Sequence, residues 1–328
     1  MSYSNDNSDE LKAKPTKEKS GFNYFVYLLI FIILSGLSLY FVYKIFGANS
    51  NFAIFKSYSL SIFSLLFLLL LLYFTFDGLR LYYVLKTLNN DIDFRHIVKL
   101  VFINLFISNI TPFATGGGFV QIYFLNKKGI SLGNATAATT IRTTVLFYIS
   151  LFSVLYFIFF YIVIFKNRLL KKLVYNFLRF IKHKELISKD KFREVCQNLF
   201  AEIDVFSDNL NYFLRGNKKD IVSTIIATLL FLLAEFSFSV ILIQGLGYEV
   251  SIMSIIFMQV IVVFSMYFAP TPGATGVAEG SYSLLFSRFV SSSEIVPLIF
   301  AWRFLTKYIG MLIGMVLFFT GFIGGGNK

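Results

Sequence analysis

Long apolar runs alternate with short polar breaks along this chain. Stretches at Phe22–Phe46, Ser59–Leu85, Ala135–Phe165, Ile221–Leu246 and Ile295–Phe322 are each long enough, at 1.5 Å per residue, to cross about 30 Å of hydrocarbon. Between them lie two pairs of shorter segments: Phe94–Ile110 with Phe119–Asn126, and Ile252–Phe268 with an arm reaching Val290. The members of each pair are individually too short to span. A polar, glycine-rich break divides each pair, Thr111-Pro112-Phe113-Ala114-Thr115-Gly116-Gly117-Gly118 in the first and Ala269-Pro270-Thr271-Pro272-Gly273-Ala274-Thr275-Gly276 in the second. The pattern predicts an all-α, polytopic transmembrane bundle with two repeats, each holding a broken or re-entrant helix pair.

The spacing of polar residues supports the duplication. Gln121 follows Pro112 by nine residues and Glu279 follows Pro270 by nine; Asp77 precedes Pro112 by 35 and Glu235 precedes Pro270 by 35. An acid, a break and a Gln/Glu side chain thus recur at an offset of 158, and Arg142 and Arg303 follow at 161. Lipid cannot hydrogen-bond irregular backbone, so a broken helix at membrane depth must be sheltered by protein or line a water-filled cavity. Interrupted segments at matching positions of two halves point to a transport site at their interface. Ordinary kinked helices are the plainer alternative.

Domain boundaries follow from the same pattern: a disordered tail at 1–20, an added first helix and loop at 21–57, the first repeat at 58–165, a basic insertion at 166–219, the second repeat at 220–323 and a short tail at 324–328. Within the insertion, apolar residues recur at helical spacing and predict two amphipathic helices, roughly Leu169–Lys184 and Lys189–Leu214. Such basic helices lie in the membrane interface or form a solvated arm. The positive-inside rule favours a cytoplasmic insertion and N-terminus together, which inverted repeats would give if each broken segment crosses once. Hairpin breaks would instead make the repeats parallel, and the sequence leaves both open.

Composition narrows the function classes. Apolar residues are 56% of the chain and 42 of the 328 residues are phenylalanine, with a mean hydropathy of +0.71, above the roughly 45–50% apolar content of soluble domains. The placement expected is a multi-pass protein of the cell membrane. One cysteine and two histidines leave no material for a disulfide framework or a Cys/His metal site. No nucleotide-cradling glycine loop is present, so no cofactor is expected. A net charge of +12 suits anionic membrane lipids as partners, not nucleic acid. A homo-oligomer is allowed and otherwise undetermined.

Charges inside spans cost roughly 2.5–3.5 kcal/mol each on the insertion scale, which makes them functional candidates. Asp77, Arg80, Arg142, Glu235, Glu279, Arg303 and Lys307 form this set. Each can equally be a structural ion pair or a snorkelling end residue, a reading that fits Arg80 and Lys307 best. Arg142 and Arg303 suit phosphate, which a guanidinium binds through two donors. Gly116, Gly117, Gly118, Gly273 and Gly276 would let backbone N–H groups approach an anion, or would serve only close helix packing. With Pro112, Gln121, Pro270 and Pro272 these residues complete the candidate transport site; none is expected to be catalytic.

The stretch from Ser108 through Tyr123, with Lys128-Gly129-Ile130 after it, resembles the first signature of the lysylphosphatidylglycerol synthase transmembrane, or flippase-like, family. Pro272 through Gly280 and Trp302-Arg303-Phe304-Leu305 through Tyr308 resemble the second. Phe119-Val120 departs from the pattern, because relatives often carry a polar residue and a proline there. The resemblance implies a stand-alone lipid-translocating membrane domain, since no stretch here could be the aminoacyl-transferase domain of bifunctional members. The expected substrate is a phosphate-bearing phospholipid, glycolipid or polyprenyl-linked lipid. Coupling to protons through Glu235 or Glu279 is a further expectation. The competing readings are a membrane-embedded enzyme with Glu279 as general base, and a non-transporting scaffold holding a partner through the basic insertion.

Overall fold

A computed structural model describes residues 52–165 and 215–323, together with isolated helical positions between Leu28 and Lys44. The N-terminal tail, most of the first span, both amphipathic helices of the insertion and the C-terminal tail lie outside the described residues.

Nine α-helices follow one another within the described segments: α1 (Leu60–Thr87), α2 (Phe94–Ile110), α3 (Thr115–Lys127), α4 (Leu132–Phe165), α5 (Lys218–Gln244), α6 (Ile252–Met266), α7 (Val277–Phe286), α8 (Ser292–Arg303) and α9 (Ile309–Ile323). No strand is present among the described residues. Four stretches are long and apolar enough to cross a membrane: α1, the Leu132–Val154 part of α4, α5, and Ser292–Thr320, which joins α8 to α9. Their outward faces carry Phe63, Phe67, Leu71, Ile226, Leu233 and Val316 exposed, as expected where lipid replaces water.

α1 and α5 pack along each other and run antiparallel. Tyr58, just before α1, donates to the Leu242 carbonyl near the end of α5 (2.6 Å), and Lys86 near the end of α1 reaches Asp220 at the start of α5 (3.8 Å). At the crossing, Tyr73 stacks on Phe231 with ring centroids 4.8 Å apart. These two residues are separated by the same 158 positions that relate the polar residues noted above.

Each broken pair folds back on itself. Leu125 of α3 shares a buried cluster with Ile97 and Leu100 of α2, and Ser265 of α6 donates to Ser281 of α7 (3.3 Å). The sequence linked hairpin breaks to parallel halves. The structure combines hairpins with antiparallel α1 and α5, and the segment joining the halves lies outside the described residues.

The glycine run belongs to the first turn of α3, not to an irregular loop. An added Cβ at Gly116 would lie 2.6 Å from the Thr111 side chain, and one at Gly117 would lie 3.0 Å from the Asn104 carbonyl. Both glycines therefore serve the contact between α2 and α3. Gly118 is different, since a Cβ there would make an ordinary 3.5 Å contact with Thr139.

The 158 offset holds for the starts of α1 and α5 and of α2 and α6, then changes at the breaks. Short 3-10 turns form at Pro112–Ala114 and Pro272–Ala274. Phe113 and Ala114 have φ of 52° and 55°, and Gly273 and Ala274 have 60° and 56°. The counterpart of Pro112 is thus Pro272 and not Pro270. Five residues separate α6 from its turn where one separates α2 from its own, and Pro270 lies exposed in that longer link. The final helix is also not uniform, because a π turn at Phe304–Tyr308 separates α8 from α9. At the far end of α5, Tyr248 donates to Glu294 (2.6 Å) and accepts the Ser291 N–H (2.9 Å). Burial, then the bond to Glu294, pushes this hydroxyl above its ordinary value.

Candidate functional site

The two 3-10 turns contact each other. Beside them α1, α4, α5 and the π turn enclose a cavity of about 330 Å³. Five ionisable side chains of opposite sign line it: Asp77 and Arg80 from α1, Arg142 from α4, Glu235 from α5 and Lys307 from the π turn. Three cations against two carboxylates leave one excess positive charge. Tyr73, Gln121, Asn104, Thr139 and Tyr267 add polar surface.

Asp77 holds the first group together. Its carboxylate accepts from Arg80 (2.8 Å) and from Arg142 (2.5 Å). Arg80 also donates to the Arg142 carbonyl (3.1 Å) and lies over the Phe231 ring, 4.5 Å from its centroid. Arg142 donates to Gln121 Oε1 (3.3 Å). The Nε of each arginine has no hydrogen-bond partner among the described residues. A cluster so deeply buried is held by charge complementarity, with part of its donor set left unmatched.

Glu279 and Arg303 stand apart from this cavity. Both are fully buried and pair with Nε and Oε1 2.9 Å apart. Glu279, at the third position of α7, accepts the N–H of Gly276 (2.7 Å), one half of a capping box. Gly276 has φ of 90°, a conformation that glycine adopts without steric cost. Arg303 donates to the Gly273 carbonyl (2.9 Å). The pair braces the second turn from behind. The first turn has a neutral Gln121 in place of an acid, so its arginine turns to Asp77 instead, and Pro112 and Phe113 remain exposed.

A family model described as the lysylphosphatidylglycerol synthase TM region matches residues 26–314 of this chain. The chain belongs to that family. Among curated relatives, a UPF0104 membrane protein of Archaeoglobus fulgidus is 25% identical over 256 residues, covering 69% of this chain and 76% of the relative. A UPF0104 membrane protein of Methanocaldococcus jannaschii is 25% identical over 230 residues, covering 62% and 68% respectively. Membership of this family and the four long apolar helices make the chain an integral membrane protein.

Within the lysylphosphatidylglycerol synthase TM region, the two signatures occupy distinct places. The first forms the end of α2, the exposed turn and α3; the second forms the braced turn with Glu279 and Arg303. The structure brings Asp77, Arg80, Gln121, Gly118, Arg142, Glu235 and Gly273 to one cavity. It leaves Gly116, Gly117, Gly276, Glu279 and Arg303 in packing or bracing positions beside it, with Pro112 exposed, Pro272 buried and Pro270 in the link. Tyr73, Asn104, Ser108, Thr139 and Tyr267 were not singled out from the sequence. A signal existed for two of them: Asn104 and Ser108 are polar and four residues apart in an apolar run, hence on one helical face.

Proposed function

We propose that this protein is a transporter that moves a phosphate-bearing lipid headgroup through the cavity between the two re-entrant hairpins while the acyl chains stay in the bilayer. The observation that carries this reading is the cavity's excess positive charge at the meeting point of both breaks, provided by guanidinium groups that stay charged at low dielectric. Irregular backbone at membrane depth needs this sort of polar enclosure, and opposed halves with a site at their interface are the arrangement of many transporters. Its families of candidate substrates are phospholipids, glycolipids and polyprenyl-phosphate lipids.

The enzyme reading finds less support. Glu279, which would act as its general base, is fully buried against Arg303 and outside the cavity. A general base must come within hydrogen-bond reach of the proton it removes.

The test is translocation of fluorescent lipids in proteoliposomes across three headgroup classes: anionic phospholipid, aminoacylated phospholipid and polyprenyl-phosphate sugar. The expected result is movement of one class by the wild type and loss of that movement in Arg142→Ala at equal reconstitution. No movement of any class by folded protein would overturn the reading.

A further inference from the structure

The inference rests on the translocase reading and concerns how the cavity accommodates an incoming anion. Four of the five cavity charges differ sharply in how firmly they are held. Arg80 and Arg142 each hydrogen-bond Asp77 and each spend a second donor, on the Arg142 carbonyl and on Gln121 respectively. Lys307 is held differently. Its Nζ lies 3.6 Å from Glu235 Oε1, beyond hydrogen-bond reach. The Glu235 carboxylate makes no side-chain hydrogen bond among the described residues. The Lys307 side chain is 18% exposed against 4% for Glu235, and it projects from a π turn, a distortion that recurs at functional positions.

We infer that Lys307 is the cavity's exchangeable counter-ion: a phosphate-ester oxyanion draws Lys307 away from Glu235, and Glu235 then binds a proton. The charges and titratable groups facing Glu235 across the cavity are Tyr73, Asp77 and Arg80 of α1, Arg142 of α4, Tyr267 after α6, and Lys307. The two arginines are committed to Asp77, so among the described residues no cation other than Lys307 pairs with Glu235. A buried carboxylate that loses its counter-charge while an anion arrives nearby is driven to its neutral form. Binding of the anion is therefore linked to uptake of a proton, and a transmembrane proton gradient bears on the direction of headgroup movement. Glu279 cannot serve this way, because Arg303 and the Gly276 N–H hold it in the brace.

Calorimetric titration of the detergent-purified full chain at neutral pH, repeated in buffers of different ionisation enthalpy, counts protons taken up per bound anion. The probes are dihexanoylphosphatidylglycerol and, in a separate arm, glycerol 3-phosphate; binding of the first alone assigns the site to a lipid headgroup, and binding of both to phosphate esters generally. Expected is uptake of about one proton per anion in the wild type, and uptake near zero in Glu235→Gln, whose neutral amide stands in for the protonated acid, frees Lys307 and so tightens anion binding. Lys307→Met serves as the second variant: its Glu235 is already neutral before the anion arrives, so uptake is again near zero and affinity is reduced. Wild-type binding without proton uptake, or unchanged uptake in Glu235→Gln, overturns the inference and leaves the translocase reading standing. No binding of either probe to folded wild type overturns both.

Discussion

Removing the Glu279 carboxylate should strongly destabilise the second turn. In Glu279→Ala the Arg303 guanidinium keeps its charge at a site with no exposure, and the Gly276 N–H loses its acceptor. Breaking a buried pair by deleting one partner costs about 3–5 kcal/mol, because an uncompensated charge stays behind. The orphaned N–H falls in a range of about 1–3 kcal/mol that partly overlaps this sum. At about 2–3 °C per kcal/mol for a chain of this size, the melting temperature should fall by roughly 6–15 °C. Trp302, the single tryptophan, is fully buried next to Arg303, so its fluorescence on heating in detergent follows this region directly. The double variant Glu279→Leu with Arg303→Met should recover much of the loss, since an apolar pair of similar volume leaves no charge behind. A single variant melting within about 2 °C of wild type would refute the brace.

Other variants separate packing from transport. Gly117→Ala places a Cβ against the Asn104 carbonyl, an overpacking that costs about 1–3 kcal/mol; the melting temperature should drop, and unchanged stability would contradict the close α2–α3 contact. Ala114→Gly relieves a left-handed residue with φ of 55° and should raise stability by about 1 kcal/mol in the same fluorescence assay. Lys307→Met should melt close to wild type yet slow lipid translocation, because Lys307 faces the cavity and Glu235 can take a proton in its absence. Tyr248→Phe removes the donor to Glu294 and the acceptor for the Ser291 N–H; a modest loss of stability with intact translocation is expected.

Much of this architecture is legible in the chain because lipid imposes simple rules on it. The apolar runs give the four long helices within a few residues, and Pro112 and Gly273 mark real breaks. The offset of 158 also relates Tyr73 to Phe231, which stack where α1 packs on α5, although the sequence left the relative direction of these helices open. Three features escaped for physical reasons. The Gly116-Gly117 run reads equally as a ligand-facing loop or a packing surface, and only the nearness of Thr111 and Asn104 decides for packing. The partnering of the acids was hidden, since Glu279 and Glu235 look alike in sequence but one is fixed by Arg303 and the other faces Lys307 across 3.6 Å. The π turn that presents Lys307 has no compositional signature in Phe304–Tyr308, which carries neither proline nor glycine.

The central claim is that the headgroup passes through the cavity between the two turns, and a thiol block tests it most directly. With Cys196, the single cysteine, replaced by serine, Thr143→Cys places a thiol on the cavity wall, and Leu230→Cys places one on the outward face of α5. A bulky thiol reagent should abolish lipid translocation in proteoliposomes bearing Thr143→Cys and leave the Leu230→Cys vesicles at their unmodified rate. Full labelling of Thr143→Cys with translocation undiminished would contradict a route through the cavity.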